Sequence, residues 1–218
     1  SSIDVQGGAN LTSGEAERLN DGVALNADGT VSLGGNETIG DLSGSGIIAN
    51  NGNDLTVTQT SNQEFAGNIT GAGGLTKQGE AGLTLTNGSD FTGDANINAG
   101  ILTVSGALAT NTINVANGAT LTTTASDLLS DGATLTNDGT LNLDSGGVAR
   151  EETITYLLGS ETGVVNIGAN NLILSTGGDF EGRITGDDAS VASTGDLILR
   201  GSAQIGALIV SGDTTTLT

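Results

Sequence analysis

Two adjacent carboxylate pairs, Glu151-Glu152 and Asp187-Asp188, are the residues of this chain best suited by type to acid–base chemistry. Two acids flanking a polymer-binding groove can cleave a glycosidic bond, one giving a proton while the other acts as base or nucleophile. Successive side chains of a strand point to opposite faces, so neither pair makes a dyad without a carboxylate from elsewhere. Solvated loop acids are the plainer reading of both pairs. A polysaccharide lyase would add a base against the acids, but Lys77, Arg183 and Arg200 are too sparse for that. His and Cys are absent, which excludes Ser-His-Asp and Cys-His nucleophile systems and zinc sites built on imidazole or thiolate. The calcium-binding Gly-Gly-x-Gly-x-Asp repeat survives only as fragments at Gly34-Gly35-Asn36-Glu37 and Gly177-Gly178-Asp179, and no Gly-x-x-x-x-Gly-Lys-Ser/Thr phosphate loop occurs. The expectation is a protein with no catalytic, cofactor-binding or metal-binding residues, in which any calcium binding would be weak and incidental.

The elements that would carry such residues are strands. Of 218 residues, 37 are Gly and only 2% are aromatic, with no Pro, Met or Trp, so small aliphatic side chains must form the core. Gly, Asn, Asp, Ser and Thr spread along the whole length mark frequent turns. Low aromatic content with high charge also describes disordered chains. The apolar residues nevertheless gather in regular Val/Ile/Leu clusters, which favours folded strands. Twenty-five acids against five bases give a formal charge of -20, a sign that repels nucleic-acid phosphates and anionic lipid surfaces. No apolar run of about 18 residues exists to span a membrane as a helix. The opening Ser1-Ser2-Ile3-Asp4 has no signal-peptide character, so any targeting segment is expected outside this sequence.

Six apolar–polar–apolar triplets form a series: Val31-Ser32-Leu33, Leu55-Thr56-Val57, Leu83-Thr84-Leu85, Ile113-Asn114-Val115, Leu141-Asn142-Leu143 and Val165-Asn166-Ile167. Their first residues step by 24, 28, 30, 28 and 24. A period in this range, with several short strands per unit, is the mark of a solenoid whose turns stack and bury continuous aliphatic columns. The pattern predicts an all-β parallel solenoid of roughly eight turns, running through residues 1–218 as a single domain. An irregular excursion is expected over about 116–140, where Gly-Ala-Thr-Leu recurs at Gly118 and Gly132 around Ser126-Asp127-Leu128-Leu129. Phe65-Ala66-Gly67 matches Phe180-Glu181-Gly182, and Asn68-Ile69-Thr70-Gly71 matches Arg183-Ile184-Thr185-Gly186. The Asn residues of the triplets are expected to stack outward or as amide ladders, with Thr56 and Thr84 facing solvent.

One stretch is more specific. Gly71-Ala72-Gly73-Gly74-Leu75-Thr76-Lys77-Gln78-Gly79 leads into Gly82-Leu83-Thr84-Leu85-Thr86, Phe91-Thr92-Gly93 and Ile97-Asn98-Ala99-Gly100-Ile101-Leu102-Thr103-Val104. It resembles the passenger-associated transport repeat of bacterial autotransporters (type V secretion), closely over residues 71–104, with weaker echoes along most of the chain. Asp94-Ala95-Asn96 departs from the small-Thr-x stretch common there. The resemblance implies a right-handed parallel β-helix, a passenger segment displayed outside the outer membrane of a Gram-negative bacterium, without its translocating barrel in this sequence; the general handedness of parallel crossovers agrees. The implied function is that of a non-enzymatic stalk or adhesin, in contact with a host or neighbouring-cell surface, a glycan or another copy of itself. A polysaccharide-acting β-helix enzyme using Asp or Glu and a self-assembling extracellular filament subunit are the alternatives.

Contact would fall on the outer wall. Leu172-Ile173-Leu174, Leu197-Ile198-Leu199 and Leu208-Ile209-Val210 are apolar on both faces, and Ile173 and Ile198 lie one repeat apart. They are the candidate contact residues, unless a flanking loop over 146–158 covers them. An ice-binding array is disfavoured because Thr122-Thr123-Thr124 is not repeated from turn to turn. The closing Thr214-Thr215-Thr216-Leu217-Thr218 lacks a polar cap, from which a chain continuing further is expected.

Overall fold

The computed structural model describes residues 1–143, 151–212 and 215–217. Among them the chain is all strand and turn, a parallel β-solenoid of about ten turns. It divides into two compact units, Ser1–Thr110 and Asn111–Thr218.

Three short strands make up a full turn of unit 1, and equivalent strands stack in three parallel ladders. The first ladder runs through Ser2–Val5, Ala24–Ala27, Leu42–Ser43, Gln63–Phe65, Gly82–Leu85 and Ile101–Val104. Val5 pairs with Ala27, and Leu85 pairs with both Phe65 and Val104. In the second ladder Val31, Ile48 and Ile69 are stacked. The third places Glu37, Leu55, Leu75 and Ala95 in one column and Ile39, Val57, Lys77 and Ile97 in another. Because alternate residues share a face, each strand contributes one or two aliphatic side chains to the interior. Parallel pairing at about 4.8 Å brings these into contact with their equivalents above and below.

Unit 2 follows the same plan. Ile113, Leu135 and Leu157 stack in its first ladder, followed by Gly178 and Leu197. Leu121, Leu141, Val165 and Ile184 form the second. Glu152, Leu172, Val191 and Leu208 form the third. Shared signatures mark equivalent positions in the two units. Glu37-Thr38-Ile39 corresponds to Glu152-Thr153-Ile154, and Phe65-Ala66-Gly67 to Phe180-Glu181-Gly182. Loops with positive-φ acids at Glu17 and Asp127 follow the strands Asn10–Ser13 and Thr120–Thr123.

All twelve apolar residues of the six triplets are buried, and their central polar residues are half-buried on the outer face. Register partners lie 17 to 24 residues apart, for example Leu25 with Leu42 and Leu141 with Val165. Turns are thus shorter than the triplet steps, which explains ten turns against the eight expected. From Val31 to Leu55 to Leu83 the series moves from the second ladder to the third and then the first, advancing one turn plus one side at each step. Within the expected 116–140 excursion, Thr120–Thr123 and Thr134–Asn137 are regular strands, and the irregular part is the loop 124–133.

Inward polar groups need partners inside the wall, and Asn50, fully buried, has them. Its Nδ2 donates to the Gly73 carbonyl at 2.8 Å, while its Oδ1 accepts from the Gly52 and Gly73 amides at 3.1 and 3.0 Å. Gly71 lies beside it at φ +116°, and a Cβ there would stand 2.2 Å from Asn50 Oδ1. Gly71→Ala is therefore expected to destabilise unit 1 by about 1–3 kcal/mol through backbone strain and the displaced amide. Thermal melting followed by far-UV circular dichroism checks this, and an unchanged melting curve would contradict it.

Candidate functional site

Strand alternation decides the fate of the Glu151-Glu152 pair. In the strand Glu151–Gly159, Ile154 points into the core, so Glu152 two residues earlier must point inward as well. Glu152 is 2% exposed, while Glu151 is exposed on the outer face. The expectation of two solvated loop acids is corrected for Glu152, whose inward position is a consequence of the strand pairing of Glu152 with Leu172.

The buried carboxylate holds a loop. Leu129 N donates to Glu152 Oε1 at 2.8 Å and Leu128 N to Oε2 at 3.2 Å, while Asp127 N donates to the Glu151 carbonyl at 3.1 Å. The loop thus lies against the edge of residues 151–154, which pair with no earlier strand among the described residues, whereas residues 156–158 pair with 134–136. Asp127 reaches these contacts with φ 56°, a left-handed conformation that Asp tolerates better than most residues. Burial pushes the Glu152 carboxyl up to about 7; the Leu129 and Leu128 amides offset this in part, and the Asp127 charge adds to it.

Unit 1 has the same device. Glu37, 1% exposed, accepts from Arg18 N at 3.2 Å and Leu19 N at 3.0 Å, and Glu17 N donates to the Asn36 carbonyl at 2.9 Å. Charge-assisted hydrogen bonds of this kind are stronger than neutral ones and make the loops integral to the wall.

Around the Glu152 loop lies an acidic depression lined by Ser126, Asp127, Asp131, Glu151, Thr153 and Ile173. Asp127 titrates above the usual carboxylate range, chiefly because it is partly desolvated and then because of the Asp131 charge, a hydrogen bond shared with Asp131 and the Glu151 charge. Among the described residues no group of three or more acids is arranged to hold a metal ion.

Ile173, one of the two candidate contact residues, forms the apolar side of this depression. It stacks in a column with Thr153, Ala192 and Ile209, of which Ile209 is 58% exposed. Ile198 stands in another ladder, between Asp179 and Thr216. Both are half-buried, and the structure does not bring them into one stripe. The aliphatic stripe is instead Ile173, Ala192 and Ile209, because a step of 25 residues moves one side around the turn. Part of the expected covering loop, 146–150, lies outside the described residues, and the rest belongs to the strand Glu151–Gly159.

Of the other chemical candidates, Asp188 is exposed beside Gly168, Ala169, Thr185 and Gly186, while the Asp187 side chain lies outside the described residues. Arg200 pairs with Asp179 through two hydrogen bonds of 2.9 and 3.0 Å. Lys77 is a core residue, 1% exposed, whose Nζ donates to the carbonyls of Gln78, Gly79 and Ala99 at 2.9, 2.8 and 3.0 Å. Burial holds its ammonium down to about 8. In the Gly-Gly-Leu-Thr-Lys stretch, therefore, Leu75 and Lys77 fill the interior. Gly73 and Gly74 allow close approach between turns, since Cβ atoms there would stand 1.8 Å from the Asn53 carbonyl and 2.6 Å from that of Asp94.

On the outer wall of unit 2, Asn166 Nδ2 donates to Asn142 Oδ1 and Thr185 Oγ1 donates to Asn166 Oδ1, both at 2.7 Å. That is the expected amide ladder for two of the three triplet asparagines; Asn114 belongs to another ladder, paired with Thr136. Compared with known proteins, the chain matches no family model, no curated protein and no solved structure.

Proposed function

We propose that this chain is a non-enzymatic segment of an autotransporter passenger, displayed at the surface of a Gram-negative bacterium. It would act there as a structural stalk or adhesive wall. The observation that carries this reading is the solenoid itself. The stretch 71–104 that resembles the passenger repeat spans consecutive strands of the three ladders, with Leu75, Leu83, Leu85, Phe91, Ile97, Leu102 and Val104 inward, Ile101 exposed and the Thr residues on the outer face. Such a wall presents a repeated lateral surface of Thr, Asn and acidic side chains suited to many weak contacts with a glycan, a cell surface or another copy.

Support for adhesion also comes from the half-exposed aliphatic column of Ile173, Ala192 and Ile209, with Asp127, Asp131 and Glu151 beside its Ile173 end. A surface of this kind would meet its partner through a small apolar contact ringed by charge.

The test is display of residues 1–218 on a Gram-negative laboratory strain through a fused outer-membrane β-barrel. Cell sedimentation and binding to immobilised glycans and host-cell layers would be read against cells displaying the barrel alone. Adhesion or autoaggregation that drops when Ile173 and Ile209 are both changed to Ser is the expected outcome. Display without any gain in contact would overturn the adhesive reading, and release of sugar fragments from a glycan panel would favour the enzyme alternative.

A further inference from the structure

We propose that the outer wall of unit 1 carries a binding site for a neutral sugar residue, seated over Gly82 between Asn62 and Ile101. The site stands whether or not the chain is an adhesin. In the first ladder the outward positions form two columns. One holds Glu64, Thr84 and Thr103 at successive turns. In the other, Gly82 pairs with Ile101 on one side, and on the other its amide donates to Asn62 Oδ1 at 2.7 Å. With no side chain at Gly82, the wall is indented into a depression of about 360 Å³ lined by these residues, at the low end of small-molecule sites. The fold does not require that gap. At the strand glycines Gly71, Gly159, Gly177, Gly178 and Gly186 a Cβ would stand 2.7 Å or less from an atom of an adjacent turn. At Gly82 the φ lies outside the left-handed region, and a Cβ would come no closer than 3.3 Å, to Oδ1 of the exposed Asn62; the Ile101 carbonyl oxygen would be 3.9 Å away. Glycine weakens a strand relative to a residue with a side chain, so what this one supplies is the space.

The lining sets the ligand class. Ile101, 46% exposed, offers an aliphatic surface to the C–H face of a ring. Beside it stand the hydroxyls of Thr84 and Thr103, which can both donate and accept. Asn62 holds Gly82 through Oδ1 and has Nδ2 to donate, while the Glu64 carboxylate accepts from Thr86 Oγ1 at 2.7 Å through Oε1 and has Oε2 to accept from a ligand hydroxyl. Donors and acceptors interleaved beside one apolar surface match the vicinal hydroxyls and C–H face of a pyranose. No Lys or Arg lines the depression and the chain has a formal charge of -20, which disfavours anionic sugars. An organic cation would leave the Asn62 and Thr donors unmatched.

Saturation-transfer NMR on the purified full chain tests this, with methyl glucoside, methyl galactoside and methyl mannoside as neutral probes and methyl glucuronide and choline as charged ones. The expected result is transfer to at least one neutral glycoside at millimolar concentration and none to the charged probes. Gly82→Thr, which fills the gap with a β-branched side chain, should abolish the transfer while its thermal midpoint stays level with that of the parent or rises. Should Gly82→Thr melt lower, Ile101→Thr on the exposed wall decides, and it should weaken the same glycoside roughly tenfold. Absence of transfer to every neutral probe, preference for choline or the glucuronide, transfer that persists in a stably folded Gly82→Thr, or an unchanged affinity in Ile101→Thr would each overturn the proposal. Cells play no part in the measurement, so its failure and that of the adhesive reading are separate results.

Discussion

Phe180→Ala is expected to cost unit 2 about 3–5 kcal/mol, the range for deleting a fully buried aromatic ring. Phe180 is 0% exposed and stacks between Gly159 and Leu199. Its ring fills space left by glycines: Cβ atoms at Gly159, Gly163 and Gly182 would stand 2.9, 2.9 and 2.6 Å from ring carbons. These neighbours have no side chains with which to close the void, so collapse around the smaller residue is limited. With three Phe in the whole chain, no other ring can substitute. Phe65 occupies the equivalent place in unit 1, beside Gly67, where a Cβ would stand 2.5 Å from the Phe65 ring. Phe65→Ala should therefore destabilise unit 1 by a similar amount. Urea unfolding followed by far-UV circular dichroism is the appropriate measurement, because the chain has no Trp and one Tyr. A loss below about 1 kcal/mol for both variants would contradict this packing.

The second large effect is a pH dependence of stability. Glu152 titrates at about 7 in the folded chain against an ordinary 4.5. A carboxyl group raised on folding contributes stability that is fully present below its unfolded value and is lost as pH rises through its folded value. The loss between pH 4.5 and 7 should amount to about 3 kcal/mol for unit 2. Carboxylates held low by hydrogen bonds act in the opposite direction, as with Asp28, lowered chiefly by the Ser45 hydroxyl and then by Asn26. Their contribution is lost only below about pH 4 and leaves the window above it clear. Replacing Glu152 by Ala orphans the Leu128 and Leu129 amides, at about 1–3 kcal/mol each. That variant should lose much more stability relative to the parent at pH 5 than at pH 8, where the parent already bears the cost of a buried charge. Denaturant midpoints at the two pH values check this, and equal losses at both would contradict it.

Much of the fold was legible because alternation is a strong constraint. Each triplet such as Leu83-Thr84-Leu85 commits two aliphatic residues to one face, and a solenoid is the architecture that stacks many such pairs. The turn length was obscured because all three sides of a turn carry similar triplets. A spacing of 28 from Leu55 to Leu83 connects different sides, whereas the true neighbours of Leu55, Glu37 and Leu75, include a residue that does not look like core. The buried charges were hidden for the same reason. Glu37, Lys77 and Glu152 are polar by type, and only their positions two residues from Ile39, Leu75 and Ile154 place them inward. The repeated Glu-Thr-Ile was the available signal. Ile173 and Ile198 were separated by the same confusion of one turn with one turn plus a side.

Register is the foundation of these conclusions, and paired spin labels test it most directly. The chain has no native Cys, so labels attach only where Cys is introduced. Thr56 pairs with Thr76 in the third ladder, whereas Thr84 lies in the first, although Thr56 and Thr84 occupy equivalent places in successive triplets. Labels at Thr56→Cys and Thr76→Cys should stand one strand spacing apart, about 4.8 Å along the ladder, and give strongly exchange-broadened spectra. Labels at Thr56→Cys and Thr84→Cys should not. Broadening for the second pair and its absence for the first would contradict the observed register and return the turn to the longer period of the triplets.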